Sequence, residues 1–197
     1  MVLLEEQPGP YDAWHVTYSG DYWVLGEAER VEVIERGPVR VVLRVTKESV
    51  SEAAKRSRYV QDLVLSAGVP RLDVVNRIQW WEDHRLLKAV FPVGVVSEQV
   101  TCEIPYGTME RPAETEDAET ATSREFPLQK WADLSDAQFG VSLLNDGKYG
   151  MDALGNLLRL TLLRAPSSPD PSADRGTHEF TYSIYPHAGD WREALTI

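Results

Sequence analysis

The sequence predicts an all-β fold of antiparallel sheets, on three observations. Apolar and polar residues alternate in short runs, turns containing Gly and Pro separate those runs, and no stretch carries a sustained helical stripe. The spacing of the strands points to a sandwich or barrel. At 197 residues the chain suits one domain over 1–197. A chain of that size buries roughly 70% of the surface its unfolded form exposes, so it needs no metal or disulfide to fold.

Residues 1–28 read as a lead-in. Val31–Glu35 alternates, and Val39–Val45 is a β-branched run just beyond Gly37-Pro38, so the two form a hairpin. Tyr59–Leu65 follows. Gly68-Val-Pro70 then turns the chain into Arg71–Trp80, where Leu72, Val74, Ile78 and Trp80 share one parity. Asp73, Asn76, Arg77 and Gln79 are assigned to a wet face, the pattern of an antiparallel sheet with one side in solvent. Leu86–Val93, Gln99–Ile104, Phe139–Asn145, Asn156–Leu163 and Thr177–Tyr185 complete the strand candidates.

The connections are less regular. Ser49–Ser57 is either a turn or two of helix or a long hairpin loop. Glu110–Ser123 is acidic and nearly free of large apolar groups, which predicts an exposed, mobile loop. Arg164–Gly176 holds three prolines and joins two strands. Ala194-Leu-Thr-Ile197 reads as the start of a further, truncated strand, so a piece of a longer protein is expected. No internal repeat is visible.

Composition excludes some partners. With 31 acidic against 20 basic residues, the net charge is −11 and the pI about 4.8. A nucleic-acid binder concentrates Lys and Arg to displace counterions, so no nucleic acid is expected. An anionic membrane surface is disfavoured on the same ground, whereas a neutral polar ligand such as a sugar is compatible. No apolar run approaches the roughly 20 residues that span a bilayer, and the first ten residues lack the pattern of a signal peptide. The single cysteine, Cys102, allows no internal disulfide and fits a reducing compartment.

Motifs for self-contained chemistry are weak. His15, His84, His178 and His187 lie in no metal-binding spacing, although Glu82 and His84, at alternate positions of a strand, could chelate. There is no Gly-x-Ser-x-Gly elbow. Asp133, Asp136, Asp146 and Asp152 do not by themselves identify a glycosidase pair in so acidic a chain.

Two segments are denser. Phe139–Asn145 runs into Asn145-Asp146-Gly147, a turn signal, with Lys148 and Tyr149 at the loop tip. These polar residues either only shape the turn or form a sugar-binding rim of directional donors and acceptors on a rigid support. In the second segment Phe180, Tyr182 and Ile184 share a core-facing parity, and Pro186 to Trp191 ends the strand. The six Trp and eight Tyr could supply sugar-stacking platforms, but most are assigned to core packing.

Leu143-Leu-Asn-Asp-Gly-Lys-Tyr-Gly150, Gly155–Arg164, Asp174–Tyr182 and Tyr185-Pro-His-Ala-Gly-Asp-Trp-Arg192 closely resemble the C-terminal region of family-38 (class II) α-mannosidases. Gly9-Pro-Tyr-Asp-Ala-Trp14, Glu35–Arg40, Ala67–Asp73, Leu86–Val93, Ile104–Gly107 and Gln129–Ser135 extend the resemblance in colinear order over almost the whole chain. The cytosolic subgroup looks closest, which implies a cytoplasmic protein. The resemblance implies a β-supersandwich of the galactose mutarotase-like type. It also implies a role as the non-catalytic β domain of an exo-acting, retaining enzyme that hydrolyses α-mannosides. The nucleophile, the acid/base carboxylate and a zinc ion then belong to a preceding barrel domain of the same polypeptide. No cofactor and no catalytic residue are expected in these residues. Asn145, Asp146, Lys148 and Tyr149 are the expected contacts to a mannoside substrate. The alternative is an independent carbohydrate-binding module, which would need an exposed aromatic platform.

Overall fold

The computed structural model describes residues 1–49, 56–95, 97–113 and 125–194. Among them no helix occurs, and fifteen strands form two antiparallel sheets. The smaller sheet runs β10 (Phe126–Pro127), β13 (Gly150–Leu154), β14 (Leu157–Arg164), β7 (Arg85–Pro92), β1 (Val2–Glu6) and β2 (Tyr18–Val24). The larger one begins with β3 (Arg30–Arg36), β4 (Arg40–Glu48), β5 (Arg58–Ser66) and β6 (Leu72–Trp80). It continues through β15 (Gly176–Ala188), β12 (Phe139–Asn145), β11 (Trp131–Ser135), β8 (Gln99–Ile104) and β9 (Gly107–Pro112).

The core lies where the sheets face each other. Tyr59, Val74, Ile78, Trp80 and Leu143 of the larger sheet meet Leu87, Ala89, Met151, Leu158 and Leu160 of the smaller. Period-two alternation does the sorting, because a one-residue slip would send each apolar set into water. Two contacts fix the sheets relative to each other. Trp80 Nε1 donates to the Arg164 carbonyl at 3.1 Å, and the Phe91 and Tyr182 rings meet edge-on with centroids 5.6 Å apart. Cys102 is fully buried in this core, and burial pushes its thiol pKa up to about 12.

All nine strands predicted by alternation are present. Residues 1–28, expected as a lead-in, instead hold β1 and β2. Neither shows clean alternation, and their register comes from long-range pairing, Val2↔Lys88 and Val2↔Val24. The short strands β9, β10, β11 and β13 likewise show no clean alternation of apolar and polar residues.

Two side-chain assignments change. Asn76 sits on the core-facing parity of β6 and is buried, not wet. Its amide donates to the Val74 carbonyl at 2.9 Å and accepts from Gln61 Nε2 at 2.9 Å, which removes the cost of burying it. Pro186 does not end β15, which continues to Ala188. Pairing with β6 stops at Ile184↔Leu72, so β15 has one uncommitted flank there and the missing N–H is tolerated.

Of Ser49–Ser57, the helical alternative falls on residues 50–55, outside the described residues. The ends of that connection are tied, with Ser49 N–H donating to the Ser57 carbonyl at 2.9 Å. Of Glu110–Ser123, Glu110 to Pro112 lie in β9, and positions 114–123 fall outside the described residues. Ala194 lies in a turn, its N–H on the Asp190 carbonyl at 3.0 Å, and 195–197 are outside the description. No helix of the described residues is long and apolar enough to cross a membrane.

Candidate functional site

The turn after β12 is set by its own first residue. Asn145 Oδ1 accepts the Lys148 N–H at 2.8 Å, and its Nδ2 donates to the Gln129 carbonyl at 2.8 Å. Gly147 takes a φ of +83°, which glycine adopts without steric cost. Asn145 is buried, and both ends of its amide are hydrogen-bonded within the chain, which shapes the turn.

The other three candidates diverge from that point. The Asp146 N–H donates to the Thr181 carbonyl at 3.0 Å while its carboxylate faces solvent, 79% exposed, with Lys130 Nζ 3.8 Å away. Lys148 Nζ rests 4.2 Å from the centroid of the Phe180 ring. Burial lowers its pKa, partly opposed by the Asp174 charge. Tyr149 is half exposed, and its carbonyl accepts the Leu128 N–H at 3.1 Å.

Asn145 and Asp146 line a hollow of about 460 Å³ on the outer face of the larger sheet, together with Arg40, Arg71, Asp73 and Ser183. Lys148 and Tyr149 are not among its lining residues. A second hollow of about 420 Å³ shares Val75 with the first and is lined by Arg44, Arg58, Asp62, Arg77 and Glu179. The two make one polar groove across β4, β5, β6 and β15. Arg44 holds Asp62 through two bonds of 2.7 Å. Arg71 Nε lies 2.7 Å from Asp73, which also accepts the Ser183 hydroxyl at 2.6 Å. Arg77 Nε and Glu179 are 3.4 Å apart.

Because these guanidinium groups already face carboxylates, the groove presents, among its described residues, no unopposed cation to select an anion. It offers directional donors and acceptors suited to hydroxyl groups. Tyr182 is the one aromatic among its lining residues, and it is buried. Among the described residues the groove is a hydrogen-bonding surface without an exposed ring to stack on.

The remaining acidic candidates are engaged elsewhere. Asp133 is buried and accepts the hydroxyls of Ser135 and Ser142 at 2.6 Å, with His187 Nε2 at 2.7 Å. Asp152 is buried against Lys88 Nζ at 2.9 Å and Arg159 Nη2 at 2.8 Å. Asp136 accepts the N–H groups of Gln138 and Phe139, which lower its pKa. Glu82 and His84 lie in the connection between β6 and β7, not on a strand, and His84 has a φ of +51°. Among the described residues no group of three or more His, Cys, Asp or Glu is placed to hold a metal.

Sequence alone pointed to Asp146 and put Asp73 and Arg77 on the wet face. It missed Arg40 and Ser183 as members of the same surface. Parity gave the face of each strand, but the order β4-β5-β6-β15 that joins them is a property of the fold.

Residues 1–172 match the family model described as the glycosyl hydrolases family 38 C-terminal domain. Over 202 residues the chain is 38% identical to Alpha-mannosidase 2C1 of Mus musculus and to that of Homo sapiens. Both alignments cover 100% of this chain and 19% of the relative, so the chain spans only a small part of the curated relatives' length. The crystal structure of an alpha-mannosidase from Enterococcus faecalis V583 superposes with a TM-score of 0.78 at 16% identity. That superposition covers 98% of this chain and 26% of the other, and at such identity it establishes the fold.

Proposed function

The chain belongs to the glycosyl hydrolases family 38 C-terminal domain family, and from that premise we propose that it serves as the non-catalytic β domain of a retaining, exo-acting α-mannosidase. The observation that carries this is the family match over 1–172 in a chain that spans 19% of relatives called Alpha-mannosidase 2C1. The reaction then belongs to a barrel domain of the same polypeptide. Zinc, where the intact enzyme holds it, is assigned to that domain on the family resemblance. A cytoplasmic, reducing setting accords with a lone, buried thiol at Cys102.

One apolar surface supports a further domain as partner. Val31, Val33, Val41 and Leu65 share the inner face of the larger sheet with Tyr59 and Leu63, yet are 57%, 45%, 41% and 56% exposed. The smaller sheet does not reach them. A strip of this kind on an edge hairpin is the sort of surface that another part of the polypeptide covers.

Asp146 is the contact to substrate. Its carboxylate is solvent-facing on a turn whose backbone is fixed by Asn145 and Thr181, so it can meet a mannoside hydroxyl without reorganising. In the intact enzyme, Asp146→Ala lowers kcat/KM by about tenfold or more with the melting temperature preserved. Wild-type kcat/KM in that variant would reduce the loop to a turn.

A further inference from the structure

The loop joining β1 to β2 holds two aromatic rings out of the protein. Tyr11 and Trp14 are 65% and 66% exposed, with centroids 6.4 Å apart and planes at 65°, so they form an open corner. Rings left about two-thirds exposed bury little apolar area and gain little from the fold by standing there.

The backbone beneath them is unusually well fixed. Buried Asp12, between the two rings, accepts the N–H groups of Ser167 and Ser168 at 2.8 and 2.9 Å and the Ser167 hydroxyl at 2.8 Å. Arg164, itself held by Glu6, donates to the carbonyls of Asp12, Ala13 and His15 at 2.7, 3.2 and 3.3 Å. The Trp14 and His15 N–H groups both donate to the Tyr11 carbonyl at 3.0 Å. A loop tied at so many points loses little freedom when a ligand settles on it.

Beside Tyr11 lies a hollow of about 300 Å³ whose lining includes Tyr11, Gln7, His15 and Thr17, while Trp14 stands outside that lining across the aromatic corner. That volume is at the small end of ligand sites, enough for a compact ring. Aromatic faces next to amide, imidazole and hydroxyl groups match a ligand with an apolar face and a hydroxylated rim. An anion is disfavoured in a chain of net charge −11, and a wholly apolar ligand would leave the polar rim unused.

We propose that Tyr11, Trp14 and the adjoining hollow form a sugar-binding subsite that stacks a single pyranose ring, separate from the groove at Asp146. The choice of mannoside as its ligand rests on the α-mannosidase reading above. The stacking surface itself rests only on the loop.

The 197-residue chain is titrated with methyl α-mannoside, following its intrinsic tryptophan fluorescence and, independently, heat by calorimetry. Saturable binding is expected. Tyr11→Ala and Trp14→Ala each weaken it about tenfold or more. Trp14→Phe retains most of it, and Tyr106→Ala, which removes an exposed ring elsewhere on the surface, leaves it unchanged. Both rings are exposed, so the variants should melt at the wild-type temperature. Absence of saturable binding, or binding indifferent to both ring variants, overturns the subsite. If it is overturned while Asp146→Ala still lowers kcat/KM in the intact enzyme, the α-mannosidase assignment stands and only the platform is lost. Ring-dependent binding with no Asp146 effect would instead remove the cleft contact and keep the platform.

Discussion

Lys88 with Asp152 and Arg44 with Asp62 are ion pairs of nearly equal length, 2.9 and 2.7 Å, on the outer faces of the two sheets. Their surroundings are opposite. Lys88 and Asp152 have no exposed side-chain surface, whereas Arg44 and Asp62 are 41% and 20% exposed. The buried pair is part of a closed network. Arg159 grips Asp152, and Glu125 contacts Lys88 while accepting the hydroxyls of Tyr18 and Thr161 at 3.0 and 2.8 Å. Burial, followed by the Glu125 and Asp152 charges, pushes the Tyr18 pKa upward and keeps its hydroxyl a donor. The outer groove keeps its pairs in water. Distance is therefore a poor guide to what a pair contributes. Solvent decides, because a buried charge that loses its partner cannot recover hydration.

Substitution tests the contrast most strongly at Lys88. Lys88→Met leaves two carboxylates to share the remaining donors in a dry site, and should cost roughly 3–5 kcal/mol in denaturant unfolding. A loss below about 1 kcal/mol would put the two pairs in the same class and end the comparison.

Asp12 sharpens the middle of the range. Burial works to raise its carboxyl, but hydrogen bonds from Ser167 and Ser168, and from the Gly9 backbone, outweigh that and hold it at about 2, below the ordinary 3.8. A depressed pKa means its stabilisation is complete above pH 3.8 and disappears as the pH falls toward 2. The amount is on the order of 1 kcal/mol after allowing for solvent near the loop. Unfolding measured between pH 5 and pH 2 should lose that increment in the wild type and not in Asp12→Asn, which is already weaker at neutral pH. Parallel pH curves for the two proteins would remove Asp12 as the clasp of the aromatic loop.

The smallest effect is expected at Arg44. Arg44→Met should change stability by less than about 1 kcal/mol, and the difference should shrink in high salt. A larger, salt-independent loss would show the groove to be drier than its geometry implies.

Particular residues show how far the sequence reaches. Val31–Glu35 and Arg71–Trp80 announced strands because the polypeptide repeats every second residue when one face is wet. Asn145-Asp146-Gly147 announced a turn because local chemistry fixes it. Asn76 misled for a related reason, since a polar side chain in a strand gives no hint that a glutamine on the next strand satisfies it. The 1–28 segment stayed hidden because its strands take their register from Arg85–Lys88, far along the chain. The rings of Tyr11 and Trp14 could not be separated from core aromatics until their exposure was known.

The sequence by itself determined the secondary-structure class, most of the large sheet and the family, since these follow from local periodicity and from a colinear series of motifs. Tertiary structure alone decided which charges are dry and which side chains meet. Asp12 and Ser167 are 155 positions apart, and Asp133 and His187 are 54 apart. Alternation tells a strand which face to bury, but strand order and the stacking of two sheets bring distant residues to one spot. That placement rests on cooperative packing of the whole chain, which no local pattern encodes.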